Sequence, residues 1–430
     1  MTINQLKKII IDQKEELEKS LKNENIIERE IDISKIKKYL SSPNILIIKG
    51  VRRCGKSTLA VSLLKNKKYG FLNFDDNALA GFKIDDFDIL LQAFYELFGS
   101  DLEYFIFDEI QNIKGWELFA AKLRRTKKIV ITGSNAYLLS RELSTHLTGR
   151  YISIMLMPFS FKEYLDYHHI KINKNDIYSS AKIAEINKHL NDYMYKGGLP
   201  EVYKFGTEMA MNIYDDILTK DILQRHNIRY KKALKEISNY LISLFGNEFS
   251  YNKLVKVFEI KNVHTIKNYI DYISDSYIIN VLQRFSYKLK QQHIAPKKVY
   301  SIDLGIISEL AFQFSPNRGN ILENTVYLEL MRRIHHKNEK KEIYYWQDAY
   351  HREVDFVVKK GVKIIQLIQV AYGLDNYNTK NRETKSLIKG SDSLKCNDLT
   401  IITRNDEGEE IKNGKKIKII PLYKFLLDFS

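Results

Sequence analysis

The sequence contains little cysteine and lacks any long apolar run. Only Cys54 and Cys396 occur among its 430 residues, so no disulfide framework is predicted and a reducing compartment is expected. No apolar stretch is long enough for a membrane span, and the N-terminal pattern is a charged amphipathic helix without the apolar centre of a signal sequence. Internal repeats and low-complexity linkers are also absent. These absences predict an ordered cytoplasmic protein with no membrane partner.

The composition is that of a globular protein with an excess of positive charge. Hydrophobic residues make up 44% of the chain and charged residues 28%, and the formal net charge is +15. A chain of this length is expected to form roughly two to four domains, each with its own core. The positive charge is compatible with nucleic acid or another acidic partner, although it is spread along the chain rather than clustered.

Residues 50–58, GVRRCGKST, have the pattern of a phosphate-binding loop. They fit G-x-x-x-x-G-K-[ST], and they lie between an apolar strand pattern and a helix pattern, as such a loop requires. Backbone N–H groups and a helix N-terminus surround the phosphates in this type of loop. Lys56 is expected to reach the terminal phosphates, and the Ser57 hydroxyl is expected to bind Mg²⁺. The predicted nucleotide-binding residues are Gly50, Arg53, Cys54, Gly55, Lys56, Ser57 and Thr58.

A second motif, FIFDEIQ at residues 105–111, ends an apolar strand pattern with two carboxylates. Ligands of open α/β sheets bind at the carboxyl ends of the strands, so both side chains are expected at the nucleotide. Asp108 is predicted to hold Mg²⁺, and Glu109 is predicted to orient or deprotonate the attacking water. The order of the two motifs, with one more strand pattern between them, predicts an ATPase that uses ATP and Mg²⁺.

The N-terminal part of the chain alternates between strand and helix patterns. Strands are predicted at residues 45–49, 69–74, 104–107, 129–132 and 151–157, and helices between them include 116–125 and 137–147. Such alternation predicts an α/β fold with a parallel sheet that is covered on both faces. Helical patterns follow, and a final α/β block begins near residue 319.

The order of the motifs resembles the bacterial and archaeal AAA+-type P-loop ATPases that carry a C-terminal domain of unknown function. In that family a winged helix is joined to a restriction-endonuclease-like fold of the PD-(D/E)xK type. The resemblance extends over nearly the whole chain and includes, after the two motifs above, IVITGSNAYLLSRELSTHLTGR, MPFSFKEYL, YKGGLPEV, DILTKDILQRH, VYSIDLGI, LENTVYLEL, REVDFVV and IQVAY. With it, five segments are predicted: an N-terminal helix (1–32), a P-loop ATPase core (33–160), a helical lid (161–228), a winged helix (229–318) and a nuclease-like α/β domain (319–430).

The resemblance implies roles for further residues around the nucleotide. Ser134, with Asn135, occupies the first sensor position, where a polar side chain detects the γ-phosphate; the alternative is a turn with a helix N-cap. Arg150 corresponds to the arginine finger, which stabilises transition-state charge at a neighbouring nucleotide; the alternative is a surface arginine near a helix C-terminus. Arg52 and Arg53 also fit the family; each could contact phosphate or be solvated, and solvation is favoured for Arg52.

The resemblance also implies a nuclease-like metal site in the last segment. Glu323 from a helix, Asp355 from a strand and Gln369 from the next strand match the expected ligands, but Ala371 occupies the position of the catalytic lysine. Alanine can neither position water nor neutralise charge, so a degenerate scaffold is favoured over an active nuclease. Lys363 or Lys385 is the candidate to replace the missing lysine.

A winged helix could bind DNA through basic residues or bind a protein partner. The basic residues around its predicted recognition helix are Lys253, Lys256, Lys261, His264 and Lys267. Three functions therefore stay open. The first is an ATP-hydrolysing switch acting as a homo-oligomer or with a protein partner, the second is an ATP-gated DNA nuclease or remodeller, and the third is a nucleotide-binding regulator with slow turnover.

Overall fold

The computed structural model describes residues 1–23, 25–135, 147–311, 318–336 and 340–429. The chain forms two compact units, Met1–Met157 and Pro158–Ser430. The first unit contains the phosphate-loop motif and the Asp108-Glu109 motif. The second unit contains the segments predicted to be the lid, the winged helix and the nuclease-like domain.

The first unit contains a five-stranded parallel sheet. Its strands are β1 Ile45–Lys49, β2 Tyr69–Asn73, β3 Tyr104–Asp108, β4 Lys128–Gly133 and β5 Tyr151–Met155. The strand order is β2-β3-β4-β1-β5, and neighbouring strands pair in parallel. The central strands β1, β3 and β4 are almost entirely buried apolar runs, the pattern of strands covered on both faces. The predicted α/β class with a parallel sheet is therefore confirmed.

Helices surround this sheet. They are α1 Ile3–Asn23, α2 Ile33–Ser41, α3 Lys56–Leu63, α4 Asp86–Phe98 and α5 Trp116–Leu123, with short 3₁₀ turns at Asn77–Leu79 and Ile110–Asn112. Helix α1 packs on α4 and β2 and buries Leu6 and Ile10 in the core. The Gln13 amide also donates to the carbonyl of Asn73 at 3.1 Å. The helix predicted over residues 137–147 falls on segment 136–146, outside the described residues.

The second unit begins with helices. They are α6 Phe161–Tyr167, α7 Ser180–Lys196, α8 Pro200–Phe205 and α9 Glu208–Asp216, followed by a π-helical turn Ile217–Leu223, and a 3₁₀ turn Lys174–Tyr178 precedes α7. Helix α6 starts at a capping box, in which Ser160 accepts from the backbone of Glu163 and Glu163 accepts from that of Ser160. The segment predicted as a helical lid is thus helical in the structure.

The middle of the second unit is a small helical bundle with three antiparallel strands. Its elements are α10 Lys231–Ser243, β6 Glu248–Phe249, α11 Tyr251–Val257, α12 Val263–Asp275, β7 Ile279–Gln283, α13 Leu289–Ile294 and β8 Lys297–Ser301. The strand order is β6-β8-β7, and both pairings are antiparallel. Helix α12 occupies the position predicted for the recognition helix, and its buried side includes Ile266, Tyr269, Ile270 and Ile273.

The C-terminal part is a six-stranded mixed sheet with helices. Its elements are α14 Leu304–Ala311, α15 Arg318–His336, β9 Lys341–Gln347, β10 Glu353–Lys360, β11 Lys363–Ala371, α16 Tyr377–Leu394, β12 Leu399–Thr403, β13 Gly408–Lys412, β14 Lys415–Pro421 and α17 Leu422–Leu426. The order is β13-β14-β12-β11-β10-β9. Strand β12 pairs in parallel with β11 and β14, and the other pairings are antiparallel. Helices α15 and α16 both pack on β11.

The Gly197-Gly198-Leu199-Pro200 motif is a helix end that binds a buried carboxylate. Gly197 follows α7 with φ +79°, and a Cβ atom there would lie 2.2 Å from Asp303 Oδ1. The backbone N–H groups of Gly198 and Gly305 donate to the Asp303 carboxylate at 2.6 and 2.9 Å. The glycines are therefore needed for close approach of the carboxylate as well as for ending the helix.

Asp303 is expected to make stability fall as the pH rises from about 4 to about 6. Burial raises its pKa to about 6, while backbone hydrogen bonds, first among them that from Gly198, oppose the shift. The folded protein then holds the proton more tightly than the unfolded chain, so the free energy of unfolding decreases by about 2–3 kcal/mol across this window. Urea unfolding of the wild type and Asp303→Asn at several pH values measures the effect. Parallel pH profiles for the two proteins would contradict it.

Candidate functional site

The phosphate loop connects β1 to α3 and depends on two glycines. A Cβ atom on Gly50 would lie 2.2 Å from the carbonyl oxygen of Leu156, so only glycine fits there. Gly55 is the N-cap of α3 with φ +94°, a left-handed conformation that glycine adopts without strain. The helix therefore begins at Lys56, and its free N–H groups lie at the loop as the motif predicts.

The two sequence motifs meet at the carboxyl edge of the parallel sheet. Ser57 Oγ lies 2.9 and 2.8 Å from the two carboxylate oxygens of Asp108. Lys56 Nζ lies 3.6 Å from Glu109 Oε1 and donates to the carbonyl of Val51 at 3.1 Å. The structure thus brings together the four side chains on which the ATPase prediction depends.

Asp108 and Glu109 are both buried, and each is held by neighbours from β4. Thr132 Oγ1 donates to Asp108 Oδ1, and the Glu109 N–H donates to Thr132 Oγ1 at 3.3 Å. Burial raises the pKa of the Asp108 carboxyl, and the charge of Glu109 raises it further, against the hydrogen bonds from Thr132 and Ser57. Glu109 has φ +51°, a left-handed conformation that costs energy for a residue with a side chain.

The predicted sensor residue lies against the predicted catalytic carboxylate. The N–H and Oγ of Ser134 donate to Glu109 Oε2 at 3.2 and 3.0 Å. The Gln111 amide donates to the same oxygen. Asn135 is buried beside Ser134. Ser134 therefore contacts Glu109 directly, and its role as a phosphate sensor stays a prediction.

The side chains at this edge suit a magnesium ion carried by a nucleotide. Mg²⁺ prefers oxygen ligands, mostly from one or two protein groups together with phosphates and water. Ser57 and Asp108 offer a hydroxyl and a carboxylate that already contact each other. Lys56 supplies the positive charge that a polyphosphate requires.

Arg150 lies at the amino-terminal ends of the strands, whereas the phosphate loop lies at their carboxyl-terminal ends. Its carbonyl accepts from the Ile45 N–H at 3.1 Å, at the start of β1, whereas the loop follows Lys49 at the end of β1. A five-residue strand is about 15 Å long, so the two sites are separated by the length of the strand. The Arg150 side chain is exposed. It is therefore not part of the cluster formed by Lys56 and Asp108 of its own chain.

The other loop residues have different environments. Arg52 is only 7% exposed and its guanidinium lies 2.8 Å from Asp75 Oδ2, so the expectation that it is solvated is wrong. Arg53 is exposed and has φ +66°. The Cys54 thiol is buried 3.4 Å from the carbonyl of Leu156, and burial raises its pKa. Thr58 is partly buried in the first turn of α3.

Sequence reasoning missed a residue that braces the loop. Arg29 lies between α1 and α2 and donates to the carbonyls of Cys54 at 3.0 Å and Met157 at 2.6 Å. These two carbonyls belong to the loop and to the end of β5. No local pattern marks Arg29, because its partners lie 25 and 128 residues away in sequence.

Two of the three predicted nuclease-like residues, Glu323 and Asp355, come together around a lysine. Lys298 Nζ from β8 lies 2.8 Å from Glu323 Oε1, 2.5 Å from Glu353 Oε1 and 3.5 Å from Asp355 Oδ1. Gln369 is buried, and its amide donates to Glu383 at 2.7 Å. Sequence reasoning missed Lys298 and Glu353.

Neither lysine named as a replacement belongs to this cluster. Lys363 begins β11 and Lys385 lies in α16, and both are exposed. Lys298 is the second residue of the strand KKVYS, which is buried throughout. Within the described residues, no group of three or more His, Cys, Asp or Glu side chains is placed to hold a metal ion.

The basic residues of the predicted winged helix are all exposed. They are Lys253, Lys256, Lys261, His264 and Lys267. An acidic residue, Asp271, is exposed on the same helix as His264 and Lys267. Partial desolvation of its carboxyl raises its pKa, and the charge of Lys267 opposes this shift. DNA binding through this surface stays a prediction. Across the parts of the chain that the structure describes, no helix is both long and apolar enough to cross a bilayer.

Known families match three successive parts of the chain. Residues 42–165 match an AAA domain, residues 187–317 match a domain of unknown function (DUF8612), and residues 318–425 match a second one (DUF4143). The uncharacterized protein MJ1544 of Methanocaldococcus jannaschii is 37% identical over 95% of this chain and 92% of its own. The chain belongs to the family of MJ1544.

A second relative and a solved structure are also similar to the chain. An uncharacterized protein of Haemophilus influenzae is 30% identical over 86% of this chain and 92% of its own length. Among solved structures, the Walker-type ATPase PABY2304 of Pyrococcus abyssi has a TM-score of 0.43 and 16% identity, covering 67% of this chain and 97% of that one. This member of the MJ1544 family combines an AAA domain with two domains of unknown function.

Proposed function

We propose that this member of the MJ1544 family is a magnesium-dependent, AAA+-type ATPase that acts as a nucleotide switch. The observation that carries the proposal is the hydrogen bond between Ser57 and Asp108 at the carboxyl edge of the sheet. Lys56 and Glu109 lie beside this pair. The AAA-domain match at residues 42–165 supports the same function.

Each of these side chains has a distinct role in the proposal. Lys56 binds the terminal phosphates, and Glu109 orients and deprotonates the attacking water. Ser57 and Asp108 hold Mg²⁺, which supplies neutralising charge at the phosphates when it is bound. Since Lys56 contacts Glu109, a phosphate bound by Lys56 would compete with this ion pair. Nucleotide binding would then change the environment of Glu109 and of Ser134, which donates to it.

The position of Arg150 favours a shared site in an oligomer. Arg150 lies about a strand length from the loop of its own chain and is exposed. A second copy could present its Arg150 to the γ-phosphate, where a guanidinium stabilises the charge of the transition state. In this proposal, one copy binds the nucleotide and its neighbour completes the catalytic site.

In this proposal the second unit responds to the nucleotide state of the first, and it contains a winged helix and a restriction-endonuclease-like domain. Residues 231–301 have the element order of a winged helix, with three helices and a sheet of order β6-β8-β7. Residues 318–403 have the helix–three strands–helix–strand order of a restriction-endonuclease-like core, with β12 parallel to β11. These topologies support both fold assignments.

Replacing Lys56 by Ala is expected to weaken nucleotide binding by about 30-fold or more. Removing one partner of a buried charged contact costs about 2–5 kcal/mol, and the lower value already corresponds to this factor. Calorimetric titration with magnesium and a non-hydrolysable ATP analogue measures binding, and phosphate release measures turnover. Lys65→Ala is the matched control, since Lys65 is an exposed lysine just beyond α3. Equal binding by the wild type and Lys56→Ala would reject the proposed site.

A further inference from the structure

Three carboxylates of the second unit face one buried ammonium group. Glu323 belongs to α15, Glu353 and Asp355 belong to β10, and Lys298 comes from β8. Their oxygens lie between 2.5 and 3.5 Å from Lys298 Nζ. Tyr300, also from β8, donates its hydroxyl to Glu323 Oε1 at 2.7 Å. Two separate parts of this unit therefore supply the cation and its acidic partners.

Most of the cluster is buried, and Glu353 is its most exposed member. Lys298 is 3% exposed, Asp355 is 5% exposed and Glu323 is 9% exposed, whereas the Glu353 side chain is 24% exposed. Burial disfavours the charged ammonium, but Glu323 and the other acidic neighbours outweigh it and raise the pKa of Lys298 well above its usual value. Lys298 is therefore a permanent cation in this position.

The residues present do not fit the divalent metal that a nuclease-like fold implies. A catalytic metal needs carboxylate ligands together with open positions for water and a phosphate oxygen. Here the ammonium of Lys298 already lies among the carboxylates of Glu323 and Asp355, where a metal ion would have to bind. The ammonium donates a hydrogen bond to Glu323 and forms ion pairs with Glu353 and Asp355.

One buried acceptor without a partner lies beside this cluster. Gln369 on β11 is 5% exposed, and its Oε1 has no hydrogen-bond partner among the described residues. The next residue, Val370, donates its N–H to Asp355 Oδ2 at 2.8 Å, so Gln369 adjoins Asp355 on the neighbouring strand. A buried amide oxygen without a donor is costly, and it is a suitable ligand for a hard cation.

We infer that Glu323, Glu353 and Asp355 form a cation site whose permanent occupant is the Lys298 ammonium. The site takes no divalent metal in the wild-type protein, and the second unit does not cut phosphodiesters there. The lysine instead joins β8 to α15 and β10 through ion pairs. Removing the ammonium while keeping the carboxylates exposes the same oxygens to an added divalent ion.

The test uses the full chain, without nucleotide, and Mn²⁺ alone as the probe. Bound Mn²⁺ is counted by equilibrium dialysis, and the unfolding midpoint is measured with and without Mn²⁺. The proteins are the wild type, Asp355→Asn, Lys298→Met and the double variant Lys298→Met/Asp355→Asn. Lys297→Met is the matched control, because Lys297 is also buried on β8 but donates to the carbonyls of His293 and Ala295.

We expect the wild type and Asp355→Asn to bind the same amount of Mn²⁺. Lys298→Met is expected to bind about one more ion per chain and to gain about 5 °C in its unfolding midpoint on addition of Mn²⁺. The double variant and Lys297→Met are expected to show neither change. Refolding of an otherwise unfolded Lys298→Met by Mn²⁺ would also support the inference.

Two results would overturn the inference. The first is a Mn²⁺ ion bound by the wild type and lost in Asp355→Asn, or plasmid nicking with the same dependence. The second is a folded Lys298→Met that gains no ion. Should Lys298→Met stay unfolded in every condition, the comparison of the wild type with Asp355→Asn decides by itself.

Discussion

Replacing Glu109 by Gln is expected to lower the rate of ATP hydrolysis by about 100- to 10,000-fold while nucleotide binding is retained. Glu109 lies 3.6 Å from Lys56 and is held by Ser134, so its carboxylate is fixed at the edge where the γ-phosphate would bind. Glutamine keeps the size of the side chain but cannot take a proton from water. Phosphate release and calorimetric binding of ATP, measured on the same preparation, separate the two effects.

Glu103→Gln is the control for this experiment, because Glu103 is an exposed glutamate just before β3. Loss of binding together with hydrolysis would show that Glu109 shapes the pocket rather than the reaction. Unchanged hydrolysis would show that a group other than Glu109 acts as the general base. A wild-type protein that binds ATP and never releases phosphate would favour the slow regulator over the ATPase.

Replacing Arg150 by Ala is expected to lower hydrolysis by about 1,000-fold, which is the scale of an arginine finger. The loss should be reversed in part by mixing with Lys56→Ala. In a mixed oligomer, a chain with an intact loop receives Arg150 from a neighbour whose own loop is inactive. The recovery of hydrolysis is measured as steady-state phosphate release from each variant and from their mixture, over a range of protein concentrations.

Arg125→Ala serves as the comparison, since Arg125 is another exposed arginine beyond a helix end of the first unit. Full ATPase activity of Arg150→Ala would show that Arg150 is a surface residue without a role in hydrolysis. Strong loss without recovery in the mixture, with subunit exchange verified by labelled chains, would argue against a shared site.

The phosphate site could be predicted from sequence because its residues belong to short local patterns. Residues 50–58 and 105–111 each contain a strand end and its adjoining turn, and parallel pairing of β1 and β3 with β4 brings the two edges together. The predicted strands differ from the observed ones by at most two residues at either end. Local patterns thus predicted both the sheet and the positions of Lys56 and Asp108.

Other contacts depend on tertiary structure and left no local trace. Arg52 is buried because Asp75, at the end of β2, lies opposite the loop. Lys298 lies at Asp355 because β8 and β10 approach each other although they are far apart in sequence. The position of Arg150 also depends on strand register. Only the pairing of β1 with β5 shows that Arg150 lies at the amino-terminal ends of the strands, away from the phosphate loop.

Arg29 has a consequence for the energetics of nucleotide binding. Its guanidinium ties the carbonyls of Cys54 and Met157 together, so the backbone that would surround the phosphates is shaped during folding. A preorganised loop loses little conformational entropy when a ligand arrives, and more of the contact energy then appears as affinity. The affinity for the nucleotide would in this way depend on a residue outside the phosphate-loop motif.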